Sequence, residues 1–113
     1  TQFNNHSDYE NYPNDLDQDQ ALLVDEGVNY CLLPIYDDLY SDRYHFRINE
    51  TNYSKIMEGK MRPGHFNGVL TVVMKLMNVV KPNRMYMGEK DYQQYQLLKD
   101  MAKAFFMDTK IIT

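Results

Sequence analysis

The chain has 113 residues, with 12 lysines and arginines against 16 aspartates and glutamates, for a formal net charge of -4. That length fits one domain, and a hydrophobic content of 43% is ordinary for a globular one. A single cysteine, Cys31, excludes an internal disulfide framework and a multi-cysteine zinc site, and no apolar run approaches the ~20 residues that span a bilayer. The acidic balance argues against nucleic acid as a partner. The charge is unevenly divided: residues 1–58 hold 12 acids and 3 bases, whereas residues 59–113 hold 4 acids and 9 bases. The second half is therefore the one suited to a small anion.

Residues 4–15 are rich in Asn, Asp and Tyr and read as a loop. Residues 16–26 predict a helix: Leu16, Leu22 and Leu23 supply an apolar edge, and Gly27 follows as a C-terminal cap. The apolar run 28–33, closed by Pro34, predicts a buried strand. Residues 35–43 are acidic and Tyr-rich and predict a short turn of helix with a loop. Residues 44–49 alternate with period two, which predicts a half-buried or edge strand and a candidate edge for pairing across a two-fold axis. A short helix is expected over residues 51–58, ending near Gly59.

In the second half, Val69, Val72, Val73, Leu76 and Val80 recur at helical spacing, with Thr71, Lys75 and Asn78 on the other side. Pro82 ends that helix. Residues 84–87 predict a short strand with Gly88 at its end. Residues 91–106 predict an amphipathic helix with Tyr95, Leu98, Ala102 and Phe105 on one face, and residues 109–113 begin another strand. Lys75, Lys99 and Lys103 read as solvated, while Met74, Met77 and Met101 lie at helical spacing and read as core packing. Strands alternating with helices at these intervals predict an α/β fold with a mostly parallel sheet and covering helices.

Ligands of open α/β sheets bind beyond the carboxyl ends of the strands. Gly88, Glu89, Lys90 and Asp91 occupy such a position, at the start of a helix. A glycine admits close approach to the backbone, the first helical N–H groups face outward, and Lys90 carries a mobile positive charge suited to phosphate. The competing reading is structural: Asp91 with Gln94 three residues later resembles a capping box. The run Arg62-Pro63-Gly64-His65-Phe66-Asn67-Gly68 implies a fixed turn from which Arg62 and His65 would face a site, although a lone turn histidine is as well explained by a structural hydrogen bond. His6 and His45 lack metal-ligand spacing. The acidic stretch containing Asp15, Asp17, Gln18 and Asp19 offers oxygen ligands to Mg²⁺, or simply an acidic first helical turn.

Taken in order, Arg62-Pro63-Gly64-His65-Phe66, Gly68-Val69, Thr71-Val72-Val73, Lys75-Leu76, Asn78 and Gly88-Glu89-Lys90-Asp91-Tyr92-Gln93-Gln94 resemble the pantoate–β-alanine ligase family, the pantothenate synthetases. Thr1-Gln2-Phe3, Tyr12-Pro13 and Cys31-Leu32-Leu33-Pro34 extend the likeness over essentially the whole chain. The resemblance implies a Rossmann-like nucleotidyltransferase domain and a two-step reaction. ATP and pantoate form pantoyl adenylate and pyrophosphate; the β-alanine amine then gives pantothenate and AMP. By position, Gln2 and Gln94 match the glutamines that hold pantoate, and Gly88, Glu89, Lys90 and Asp91 match the ATP-binding stretch, with Lys90 as the catalytic charge. Asp19, with Gln18, falls where Mg²⁺-linked residues lie, a looser match because Gln18 is no carboxylate.

Met87, Asn67 and Met77 depart from the family pattern (aromatic, Arg and Phe respectively), at positions read as packing and surface. The family's paired-histidine motif lies upstream of Thr1, and its Ser-Ser-Arg-Asn segment beyond Thr113. Residues 1–113 are thus expected to be part of an adenylate-forming, nucleotide-binding domain, excerpted from a longer chain, without the N-terminal strand and C-terminal domain of the family, and inactive alone. The expected partners are pantoate and β-alanine, with ATP and Mg²⁺, in a cytoplasmic homodimer without membrane or nucleic-acid contact. Two alternatives stay open: a nucleotidyltransferase with another acceptor, and a nonenzymatic binding module on the same fold.

Overall fold

The computed structural model describes Glu10 and residues 15–113. Helix α1, Leu16–Asp25, starts where the Asp15 carboxylate accepts the Gln18 N–H at 3.0 Å, with Asp17 and Asp19 in its first turn. It ends as expected at Gly27, whose φ of +71° is the left-handed conformation open to glycine. None of its residues is buried.

The run 28–33 forms no strand. Val28, Tyr30, Leu32 and Leu33 are all exposed. A strand exists through the hydrogen bonds of a neighbour, and none lies alongside this run among the described residues. Helix α2, Tyr36–Leu39, is the expected short turn.

Residues 44–49 also form no ladder, yet their period of two is real. Alternate N–H groups are taken by side chains: Phe46 donates to Asp42, Ile48 to the Thr71 hydroxyl, and Glu50 to the Asn67 side-chain oxygen. Side chains of Asp42 and of the helix His65–Val80 thus replace the neighbouring strand. Residues 51–58 give a 3-10 turn, Tyr53–Lys55, and then α3, Glu58–Met61, which begins later than expected. Glycine is required at Gly59, because a Cβ there would lie 2.0 Å from the Ser54 carbonyl oxygen.

Helix α4, His65–Val80, begins at Gly64 with φ +80° and ends at Lys81, also left-handed, before Pro82. Its core stripe matches the expected one only in part: Val69 is buried and Val73 packs on the core, but Phe66, Leu70 and Met77 are buried too and Val80 is exposed. Thr71 is 3% exposed: its hydroxyl donates to the Asn67 carbonyl at 2.6 Å while accepting from Ile48. Lys75 is not a solvated side chain. Its Nζ lies 2.6 Å from Asp42 Oδ1 and 5.0 Å from the centre of the Tyr40 ring. The Lys75 hydrogen bond, seconded by the Phe46 N–H, holds the Asp42 carboxyl down to about 2.

Strand β1, Arg84–Tyr86, helix α5, Tyr92–Ala104, and strand β2, Lys110–Ile112, complete a β-α-β unit. The strands pair in parallel, Arg84 with Lys110, Met85 with Ile111 and Tyr86 with Ile112. The Met87 N–H extends the ladder to the Ile112 carbonyl at 2.8 Å. Here too the expectation holds only in part: Leu98 and Ala102 are buried as expected, Gln93, Leu97 and Met101 are buried with them, and Phe105 is exposed. Phe66, Leu70, Met77, Leu97, Leu98 and Met101 form one core, with Met74, Met85, Met87 and Ile111 packed against it. The methionines at helical spacing are therefore core residues. α5 joins this core to the sheet and sets the direction of everything at its own first turn.

Candidate functional site

The chain leaves β1 through Met87 and Gly88 and enters a 3-10 turn, Glu89–Asp91, that runs directly into α5. This is the position beyond the carboxyl end of a parallel strand. Gly88 has φ −72°, a conformation any residue adopts, and a Cβ there would meet only the Lys90 side chain at 3.7 Å. The turn itself therefore does not need glycine; open space beside the backbone is what glycine leaves. Asp91 forms no side-chain cap, so the capping box with Gln94 is not made. The Asp91 N–H instead donates to the Gly88 carbonyl at 3.1 Å. Glu89 and Lys90 are exposed, and Asp91 and Gln94 are half-buried. Neither the Lys90 ammonium nor the Gln94 carboxamide has a partner among the described residues. The result is an uncapped helix start with one free cation and one free amide a turn apart.

Arg62 and His65 lie in a second cluster. Arg62 Nη1 is 3.0 Å from Glu58 Oε1 and 3.1 Å from His65 Nε2. Arginine only donates, so His65 Nε2 accepts and the imidazole proton sits on Nδ1. His65 is 7% exposed. Its Nε2 is thus committed to Arg62, the structural use anticipated for a turn histidine.

The two clusters are linked by Gln93, which the sequence reading passed over. Its Nε2 donates to the carbonyls of Tyr53 and Ile56 at 2.8 and 2.9 Å, and its Oε1 accepts the Glu58 N–H at 3.1 Å. One signal was available: Gln93 stands at i−4 and i−8 from Leu97 and Met101, a polar residue in an apolar stripe. Asn67 is also more than surface, since it receives the Glu50 N–H and donates to Asn49 at 2.7 Å. Glu50 in turn anchors the 52–54 turn. Burial works to raise its carboxyl, but N–H groups of Ser54, Asn52 and Tyr53 donate into it and hold it below the usual range.

Asp19 and Gln18 sit exposed in the first turn of α1. Among the described residues no group of three His, Cys, Asp or Glu side chains is placed to hold a metal ion. One carboxylate and one amide suit a cation that keeps most of its waters, and not a protein-built cage. Gln2 lies outside the described residues.

A family model, pantoate-beta-alanine ligase, matches residues 1–113. The chain belongs to this family. It is 54% identical over 111 residues to a pantothenate synthetase of Legionella pneumophila, covering 98% of this chain and 44% of that one. A pantothenate synthetase of Coxiella burnetii is also 54% identical, over 99% of this chain and 43% of its own. The crystal structure of a pantoate-beta-alanine ligase from Francisella tularensis, in complex with beta-gamma ATP and beta-alanine, superposes with a TM-score of 0.96 at 49% identity, over all of this chain and 44% of that one. A pantothenate synthetase from Thermus thermophilus superposes with a TM-score of 0.92 at 38% identity, over 99% and 41%. The chain thus spans a little under half the length of these relatives. The α/β fold of the ligases is the fold of this chain, here as one parallel strand pair with its helices. No helix among the described residues is long and apolar enough to cross a membrane.

Proposed function

We propose that the protein to which this chain contributes condenses pantoate with β-alanine, consuming ATP through a pantoyl-adenylate intermediate. Residues 1–113 form part of the adenylate-forming, nucleotide-binding domain. The exposed apolar run 28–33 supports completion of that domain by further sequence. The observation that carries the reading is the Lys90 ammonium in an uncapped turn beyond β1, one helical turn before the Gln94 amide, neither with a partner among the described residues.

In the first step a pantoate carboxylate oxygen attacks the α-phosphorus of ATP, and the bond to pyrophosphate breaks. Negative charge grows on the phosphate oxygens. Lys90 offsets it, and the exposed Gly88 and Glu89, with the half-buried Asp91 beside them, line the phosphate path. Gln94, with Gln2, holds pantoate, because an amide offers donors to the carboxylate and an acceptor to the hydroxyls. In the second step the β-alanine amine attacks the acyl carbon, AMP departs, and the amine proton passes to solvent. Arg62 and His65 line the site as a bonded pair, with His65 Nε2 occupied and so not serving as a base.

Mg²⁺, when bound, supplies charge neutralisation on the ATP phosphates, and Asp19 with Gln18 would hold its water shell. We further assign the protein to the cytoplasm as a homodimer. Residues 44–49, which pair with no strand among the described residues, are the candidate edge for that two-fold pairing. Light scattering showing only monomer would remove the dimer.

The test is AMP release by the full-length protein with pantoate, ATP and Mg²⁺, with and without β-alanine. Release that depends on β-alanine supports the ligase. Release without that dependence favours another acceptor, and no release favours a binding module. Residues 1–113 alone are expected to release none.

A further inference from the structure

We propose that Gln93 is the positioning residue of this site: it fixes the rotation of α5, and hence the directions of Lys90 and Gln94, and it joins them to the Arg62–His65 cluster. The inference rests on the ligase reading for the role of those side chains. Gln93 is in the first turn of α5 and 5% exposed. Both of its amide protons are spent on the Tyr53 and Ile56 carbonyls, and its oxygen takes the Glu58 N–H. All three partners are backbone groups 35 to 40 residues away. Among side chains only Asn and Gln carry two donors and an acceptor on one carboxamide, and Gln reaches one methylene further.

Neighbouring residues on a helix are ~100° apart. Pinning Gln93 inward at three points therefore sets where Gln94, the next residue, must point. The 3-10 turn carrying Lys90 leads straight into the pinned turn. On the other side, the peptide N–H that binds Gln93 belongs to Glu58, whose carboxylate holds Arg62, which donates to His65. A continuous series of bonds thus runs from the α5 start to His65, and a shift of α5 would be felt at both clusters.

The experiment uses the full-length protein with Gln93→Met, which removes all three bonds, and Gln93→Glu. A carboxyl buried against two carbonyls takes up a proton, so glutamate restores one donor and the acceptor. A displacement near 1 Å costs on the order of 10²-fold in rate. We expect Gln93→Met to lower kcat/KM for pantoate by ~30-fold per folded molecule and to weaken ATP binding by titration as well, because Lys90 shifts together with Gln94. Gln93→Glu should recover most of that loss. Folded Gln93→Met protein with unchanged kcat/KM overturns the proposal, as does failure of both variants to fold, which would make Gln93 purely structural. If the wild type shows no β-alanine-dependent AMP release, the ligase reading itself fails, a result distinct from either.

Discussion

Substituting Gly59 by alanine should destabilise the protein far more than its small size suggests. The added Cβ would lie 2.0 Å from the Ser54 carbonyl oxygen, 2.7 Å from its carbonyl carbon and 3.1 Å from Phe66 Cδ2. Carbon–oxygen contacts settle near ~3.3 Å, so α3 and the Tyr53–Lys55 turn must part by ~1.3 Å. The obstacle is backbone and cannot rotate aside. It also sits where Gln93 grips the Tyr53 and Ile56 carbonyls. Overpacking against a rigid partner costs ~3 kcal/mol, the upper end of its usual range. Relatives of this chain are about 250 residues long, from 111 residues being 44%, and at that size ~3 kcal/mol lowers Tm by ~6–12 °C. Thermal unfolding of full-length Gly59→Ala, followed by circular dichroism, measures this. Gly88→Ala is the control: its Cβ meets nothing closer than 3.7 Å, so its Tm should stay within ~2 °C while its KM for ATP rises. A Gly59→Ala protein melting within ~2 °C of wild type would refute the steric argument.

Lys90→Met should lower kcat by ~10²-fold or more with Tm unchanged, because an exposed, unpartnered ammonium contributes to charge development and not to folding; a matching kcat measured by AMP release would remove Lys90 from the chemistry. The Asp42 carboxyl is held at about 2 in the fold, below its ordinary 3.8, so its contribution is complete above the unfolded value and lost as pH falls from 3.8 towards 2. Asp42→Asn should therefore melt below wild type at pH 6 and alongside it at pH ~2, read from Tm against pH. Glu50→Gln places an amide N–H against N–H groups of the 52–54 turn and should cost ~1–3 kcal/mol in urea unfolding; an unchanged midpoint would mean that turn does not depend on the carboxylate.

Much of the architecture was legible in local pattern. The β-α-β unit followed from short apolar strands flanking a long amphipathic helix, and the turn at Gly64 from its glycine and proline. The rotation of each helix was legible only in part. Thr71 and Gln93 are polar, yet both are buried because backbone groups from residues 48 and 53–58 arrive to bond them. Counting apolar residues along α4 and α5 places such side chains outside, so the expected faces match the buried ones only in part, at Val69, Leu98 and Ala102. The same limit explains residues 28–33 and 44–49: period and apolarity describe a chain prepared to be a strand, and only a neighbour makes it one.

The sequence by itself determined the family, through Arg62-Pro63-Gly64-His65-Phe66 and Gly88-Glu89-Lys90-Asp91-Tyr92-Gln93-Gln94, since those strings are runs of specific chemistry needing no third dimension to be read. It also made the start of α5 the expected place for an anion, because a glycine, a lysine and a helix start are adjacent in the chain. Only the tertiary structure decided that Lys75 is paired, that His65 Nε2 is spent on Arg62, and that Gln93 ties the two clusters into one unit. Those facts depend on groups tens of residues apart meeting within hydrogen-bond distance, and such meetings are set by how the helices pack.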